Sequence, residues 1–150
     1  MEDNDNINDG GTVTFVACAA TKLDRPAPAR ELYRSDLFAK ASAYAQRLGE
    51  WYILSAAHGL VHPDTVLDPY NITLNDMTRD DCMMWGDKVA AQLDLLNIQA
   101  DRCVVLAGRT YRDPIMAALR GKFAEVVIPL EGLGIGSQKQ RLAQLTQVAA

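Results

Sequence analysis

The stretch Trp51-Tyr52-Ile53-Leu54-Ser55 sets four large apolar residues in succession with no polar alternation. A strand with one face in water alternates. A strand without alternation is covered on both faces, which is the habit of a parallel sheet between helices. Three more runs share the character: Thr12–Ala17 (TVTFVA), Arg102–Ala107 (RCVVLA) and Glu125–Pro129 (EVVIP). Helical spacing fills the intervals. Ser35 is placed to cap a helix over 36–48, with Leu37, Ala41, Tyr44, Ala45 and Leu48 at helical spacing and Gly49 at its end. Thr78 is placed to cap a second helix reaching about Asn97. Its apolar face is Trp85, Val89, Gln92/Leu93 and Leu96, and Met83 and Met84 read with Trp85 as packing. A helix of about ten residues follows from 110 with Pro114 in its first turn, and a last one spans about 137–148. Residues 18–34 and 56–77 read as loops. The alternation predicts an α/β fold: a single three-layer α/β/α sandwich on a four-stranded, mainly parallel, Rossmann-like sheet of order 2-1-3-4.

The 150 residues suit one domain, read as 12–150 behind a disordered acidic tail at 1–11. Apolar residues at 49% and charged residues at 23% exclude a wholly disordered chain. No apolar run approaches the roughly 18–20 residues that span a bilayer, so no membrane partner is expected. The opening MEDNDNINDGG has neither the basic nor the apolar region of a secretory signal. Cys18, Cys82 and Cys103 form no C-x-x-C pair, and His58 and His62 are the only imidazoles. Neither a disulfide framework nor a metal site is expected, and the reading is a cytoplasmic protein without cofactor. Glu2, Asp3, Asp5 and Asp9 account for the whole net charge of −4. A neutral body argues against a charge-driven DNA coat. Within it, six bases stand against three acids over 22–47, and Asp80, Asp81, Asp87 and Asp94 make the 78–97 helix acidic.

Ligands of open parallel sheets sit beyond the carboxyl ends of the strands. The unusual residues gather there: Cys18 and Lys22 after the first strand; Ser55, His58 and Gly59 after the second; Gly108, Arg109 and Tyr111 after the third; Gly134, Gly136 and Gln138 after the fourth. A structureless loop of about 20 residues, 56–77, is itself unusual in a small domain. Each residue has two readings. Lys22 and Arg109 either hold an anion or are surface cations. Cys18 is either a nucleophile or a small buried thiol. His58 either works as acid and base or caps carbonyls. Asp68 either faces a cationic transition state or makes a turn before Pro69. Tyr70 either stacks on a nucleobase or closes the core. The glycines from 132 to 136 either admit an anion or make a tight turn.

Ser55-x3-Gly59-x3-Pro63-x5-Pro69-Tyr70 is similar to the loop signature of YaaA-like peroxide-stress proteins. Cys18-x3-Lys22, the P-A-R-x-L-Y-x-S-x-L-F run from Pro28 to Phe38, S-A-x-H-G-L at Ser55–Leu60 and L-x-P-Y-x-x-T-L at Leu67–Leu74 together resemble an uncharacterised bacterial and phage domain family. The first resemblance implies DNA binding and oxidative-stress protection; related domains handle nucleobases. The two resemblances together mark Lys22, Ser55, His58, Gly59, Asp68 and Tyr70 as site residues. The expected function is therefore a nucleotide- or nucleic-acid-base-handling protein. It would cleave or exchange an N-glycosidic bond, as a glycosidase or transglycosylase-like enzyme, with His58 and Asp68 catalytic. The alternative is a non-catalytic module binding DNA or a nucleotide.

Overall fold

The computed structural model describes residues 10–149. The expected tail lies outside the described residues except for Gly10 and Gly11, and the Gly11 carbonyl accepts a hydrogen bond from the Arg102 N–H. In chain order the strands and helices are β1 (Thr12–Ala17), β2 (Ala27–Pro28), α1 (Ala29–Leu32), α2 (Asp36–Leu48), β3 (Trp51–Ser55), β4 (Gly59–Val61), β5 (Val66–Leu67), α3 (Arg79–Leu95), β6 (Arg102–Leu106), α4 (Arg109–Arg112), α5 (Met116–Lys122), β7 (Glu125–Val127) and α6 (Ile135–Ala149). Among the described residues no helix is long and apolar enough to cross a membrane.

This is a mixed α/β fold on a mainly parallel five-stranded sheet of order β4-β3-β1-β6-β7. The four predicted strands are there in the predicted order, with β3, β1, β6 and β7 parallel. The count of four is corrected by β4, which runs antiparallel to β3 and sets Ser55 opposite Gly59. Three residues carry too little pattern to announce a strand. The turn before β4 needs Gly59, whose φ is +75°. Gln92 of α3 then serves the new edge. Its Oε1 accepts from the Leu60 N–H at 2.7 Å, and its Nε2 donates to the His58 carbonyl at 3.0 Å.

The caps fall where the sequence places them. Ser35 Oγ accepts from the Phe38 N–H at 3.0 Å and Thr78 Oγ1 from the Asp81 N–H at 3.1 Å. Alternate residues of β1 enter different clusters. Val13 and Phe15 pack with Trp85, Val89 and Leu93 of α3, and Val16 packs with Phe38, Ala41 and Ala45 of α2. Met83 and Met84 correct the packing reading: they are 54% and 68% exposed. The stripe through Trp85, Val89 and Leu93 turns the preceding two positions outward. The predicted helix from 110 is likewise broken, into α4, a 3₁₀ turn at Asp113–Ile115 and α5. Pro114 has no N–H to continue an α-helical ladder.

The segment 56–77 is not structureless, which corrects the loop reading. Beyond β4, it supplies β5, paired antiparallel with β2, and a 3₁₀ turn at Leu74–Asp76. Thr65 and Pro63 carbonyls accept from Ala29 and Arg30 N–H groups, both at 2.8 Å. The Arg30 guanidinium grips Asp64 Oδ1 through Nε at 2.9 Å and Nη2 at 2.7 Å. These bonds tie the segment to residues 27–30, far away in sequence, so local periodicity is silent about them.

Gly86 is buried on α3, and a Cβ there would lie 2.4 Å from the Pro114 carbonyl oxygen. Alanine favours a helix by about 1 kcal/mol over glycine, yet this contact is backbone and cannot swing away. Gly86→Ala is expected to cost about 1–3 kcal/mol net in urea unfolding. Unchanged or raised stability would mean that the 3₁₀ turn bearing Pro114 yields freely.

Candidate functional site

β1 is extended past its last residue by the Cys18 N–H, which donates to the Leu54 carbonyl at 3.0 Å. The chain then doubles back. Leu23 N–H donates to Leu32 O at 2.9 Å and Arg34 N–H to Thr21 O at 2.8 Å, which sets Lys22 opposite Tyr33. Ser55 closes β3 beside them, and Tyr70 arrives from the segment beyond β5. The Tyr70 hydroxyl lies 2.7 Å from the Tyr33 hydroxyl and 2.8 Å from Ser55 Oγ. Ser55 Oγ also accepts from the His58 N–H at 3.1 Å, and its carbonyl accepts from Trp85 Nε1 at 2.9 Å. Lys22 Nζ sits 4.3 Å from the centre of the Tyr70 ring and 5.7 Å from that of Tyr33. It donates to the Ala20 carbonyl at 3.1 Å. The exposed His58 ring meets Tyr70 edge to face at 5.6 Å.

Cys18 connects this cluster to a second tyrosine. Its thiol donates to the Tyr111 oxygen at 3.7 Å. That hydroxyl also lies 3.3 Å from Thr73 Oγ1 and accepts from the Leu74 N–H at 3.3 Å. Trp85 packs edge to face against the Tyr111 ring at 5.7 Å. Burial is the chief cause of every titration shift here. It lowers the Lys22 ammonium below the usual lysine range, with the charge of Cys18 acting in the opposite sense. It raises Tyr33, drives Tyr70 far above the usual phenol range, and pushes Tyr111 up to about 12. The three phenols are therefore hydrogen-bond donors at neutral pH.

A cavity of about 360 Å³ opens beside Cys18, between the ends of β1 and β6. Thr21, Asp36, Gly108, Gln138 and Lys139 line it with Cys18. The strand order reverses between β1 and β6, so the cavity occupies the crevice that such sheets offer a ligand. Asp36 is held there by Lys40 at 3.0 Å and Lys139 at 3.4 Å. Gln138 is fixed by its Nε2, which donates to the Leu133 carbonyl at 2.8 Å.

The structure thus gathers Cys18, Lys22, Ser55, His58, Tyr70 and Tyr111 of the sequence-predicted residues, with buried Gly59 paired against Ser55. Gly108 and Gln138 belong to the crevice. Asp68 is exposed, with no side-chain hydrogen bond or ion pair among the described residues. Arg109 is also exposed and faces Asp113 at 3.7 Å. Gly134 and Gly136 are exposed, and Gly134 serves through its carbonyl, which accepts the Gln138 N–H at 2.8 Å. Tyr33 and Thr73 carry no site reading in the sequence, and Trp85, read there as packing, also donates its indole N–H to the site. Tyr33 and Thr73 were visible only as letters of the P-A-R-x-L-Y and P-Y-x-x-T-L motifs.

The model of a family of unknown function (DUF6884) matches residues 13–144. No curated protein matches the chain.

The raised phenols imply an alkaline limit. The folded chain keeps Tyr70 and Tyr111 protonated where an unfolded chain begins to release those protons, near pH 10. Stability from these groups is complete below about pH 10 and falls as pH rises towards about 12. Tyr52, also raised to about 12, and Cys103, raised from 9.0 to about 12, act in the same sense. Urea unfolding from pH 8 to 12 should show this decline in the wild type and a shallower one in Tyr70→Phe. Equal slopes would remove Tyr70 from the account.

Proposed function

The chain belongs to this family of unknown function, DUF6884, and from that premise we propose that it handles nucleobases, binding a nucleotide, free or within DNA, beside Cys18 and cleaving or exchanging its N-glycosidic bond. The observation that carries the proposal is the double membership of Cys18. It lines the cavity of about 360 Å³ and also bonds to Tyr111 in the tyrosine cluster. That volume suits a base with its sugar. The finer architecture proposed with it is a three-layer Rossmann-like sandwich, supported by helices packed in both core clusters.

In the proposed reaction the C1′–N bond breaks, a water oxygen or an incoming base nitrogen takes C1′, the leaving nitrogen takes a proton from His58, and the proton that the water or incoming base gives up restores His58. His58 is the exposed imidazole beside the cluster and supplies that proton. Asp68, in the same connection, faces the positive charge that develops on the sugar. Lys22 and Arg109 attract the phosphate, and the Tyr33–Tyr70 pair offers hydroxyls and ring edges to the base. The likeness of the loop to YaaA-like proteins belongs to the same proposal.

A second reading is a binding module for DNA or a nucleotide without catalysis. It is favoured by one observation: among the described residues no carboxylate is bonded to His58, Ser55 or Tyr70, so no acid–base pair stands ready.

The deciding experiment incubates the full chain with nucleotides and with plain and modified DNA and looks for released base by mass spectrometry. The catalytic reading expects release, reduced about 100-fold or more in His58→Ala. Binding without release in the wild type would establish the second reading. Release undiminished in His58→Ala, Asp68→Ala and Lys22→Ala would move the chemistry away from this site.

A further inference from the structure

We infer that the chain carries a second site, built on Arg112 beyond the carboxyl end of β6, that takes a phosphate group. This goes beyond the nucleobase proposal and does not need it. Arg112 is only 7% exposed. Its guanidinium makes one hydrogen bond among the described residues, from Nη1 to the Ala107 carbonyl at 3.2 Å. No carboxylate of those residues lies within ion-pair distance of it. A buried guanidinium cannot shed its proton, and its remaining donors require acceptors. Thr14 Oγ1 is the one sealed side-chain polar atom without a partner among the described residues. Nε and Nη2 of Arg112 are therefore not enclosed by protein; they reach accessible space.

Arg112 also lines a cavity of about 450 Å³ together with Arg109, Asp113, Arg120, Glu131 and Gly132, among others. Arg109 and Arg112 reach it from α4 and Arg120 from α5. Gly132 faces them from the loop after β7. Its φ is +80°, and an added Cβ would meet nothing within 4 Å. The loop backbone there is open to a ligand. Asp113 is engaged by Arg109 at 3.7 Å, a contact between exposed groups. Arg112 and Arg120 then stand against Glu131 alone, which leaves one positive charge for an anion to answer. The planar fork of Arg112 matches two phosphate oxygens, whereas Lys offers only a point charge.

Calorimetric titration of the full chain with inorganic phosphate tests the site. The wild type should bind, and Arg112→Lys should weaken binding about tenfold or more although the charge is kept. Because Arg112 is buried, that variant is read only if its circular dichroism matches the wild type. Arg120→Ala changes an exposed residue, should fold, and should also weaken binding about tenfold. Arg47→Ala, which removes an exposed cation of α2 outside both sites, should leave phosphate binding unchanged. Absence of phosphate binding by the wild type, or binding indifferent to Arg120→Ala, overturns the inference.

Discussion

Tyr70 holds its hydroxyl within hydrogen-bond reach of both Tyr33 and Ser55, and these three residues come from three separate stretches of chain. Tyr33 lies in the excursion after β1, Ser55 ends β3, and Tyr70 lies beyond β5. Three hydroxyls bring three protons to two contacts, so one proton points out of the chain of hydroxyls. The positions of the rings follow from the oxygens. With the Tyr70 oxygen fixed, its face is presented to Lys22 at 4.3 Å and its edge region to His58 at 5.6 Å. A change at this oxygen therefore acts on a cation and an imidazole that it does not touch.

Beneath the cluster, Ser55 is committed on every polar side. Its carbonyl is taken by the Trp85 indole and its Oγ by the His58 N–H and Tyr70. Trp85 in turn abuts Tyr111, and Tyr111 meets Cys18. Gln92 adds a second bond between α3 and the 56–60 turn, through Leu60 and His58. One helix thereby braces the loop that displays the imidazole. The cluster is assembled at the end of β3 and against a helix face, and of its gathered residues His58 is the exposed one.

What the sequence discloses follows the range of the interaction. Strand character at Trp51–Ser55 and the caps at Ser35 and Thr78 depend on neighbours within a few residues, and they were legible. β4 and the β2–β5 pair depend on Gln92, on Arg30 with Asp64, and on bonds across more than 30 residues, and they were not. The same holds at the site. Cys18, Ser55 and Tyr111 could be located because topology brings strand ends together. Tyr33 could not be distinguished from any other tyrosine, since its partner is 37 residues away. Asp68, prominent beside Pro69-Tyr70, has no partner among the described residues for its carboxylate. The turn that it precedes, rather than its charge, is what the local pattern recorded.

The two cations near the ends of β1 and β6 answer burial in different ways. Lys22 can lose its proton, and burial already lowers its hold on it. Its charge is spread over the Tyr70 and Tyr33 faces and the Ala20 carbonyl, so it is stable without a ligand. Arg112 has no such freedom, because a guanidinium keeps its proton at any accessible pH. One carbonyl meets one of its five N–H groups. Its charge is permanent and meets no carboxylate among the described residues, which is the ground of the proposed anion site.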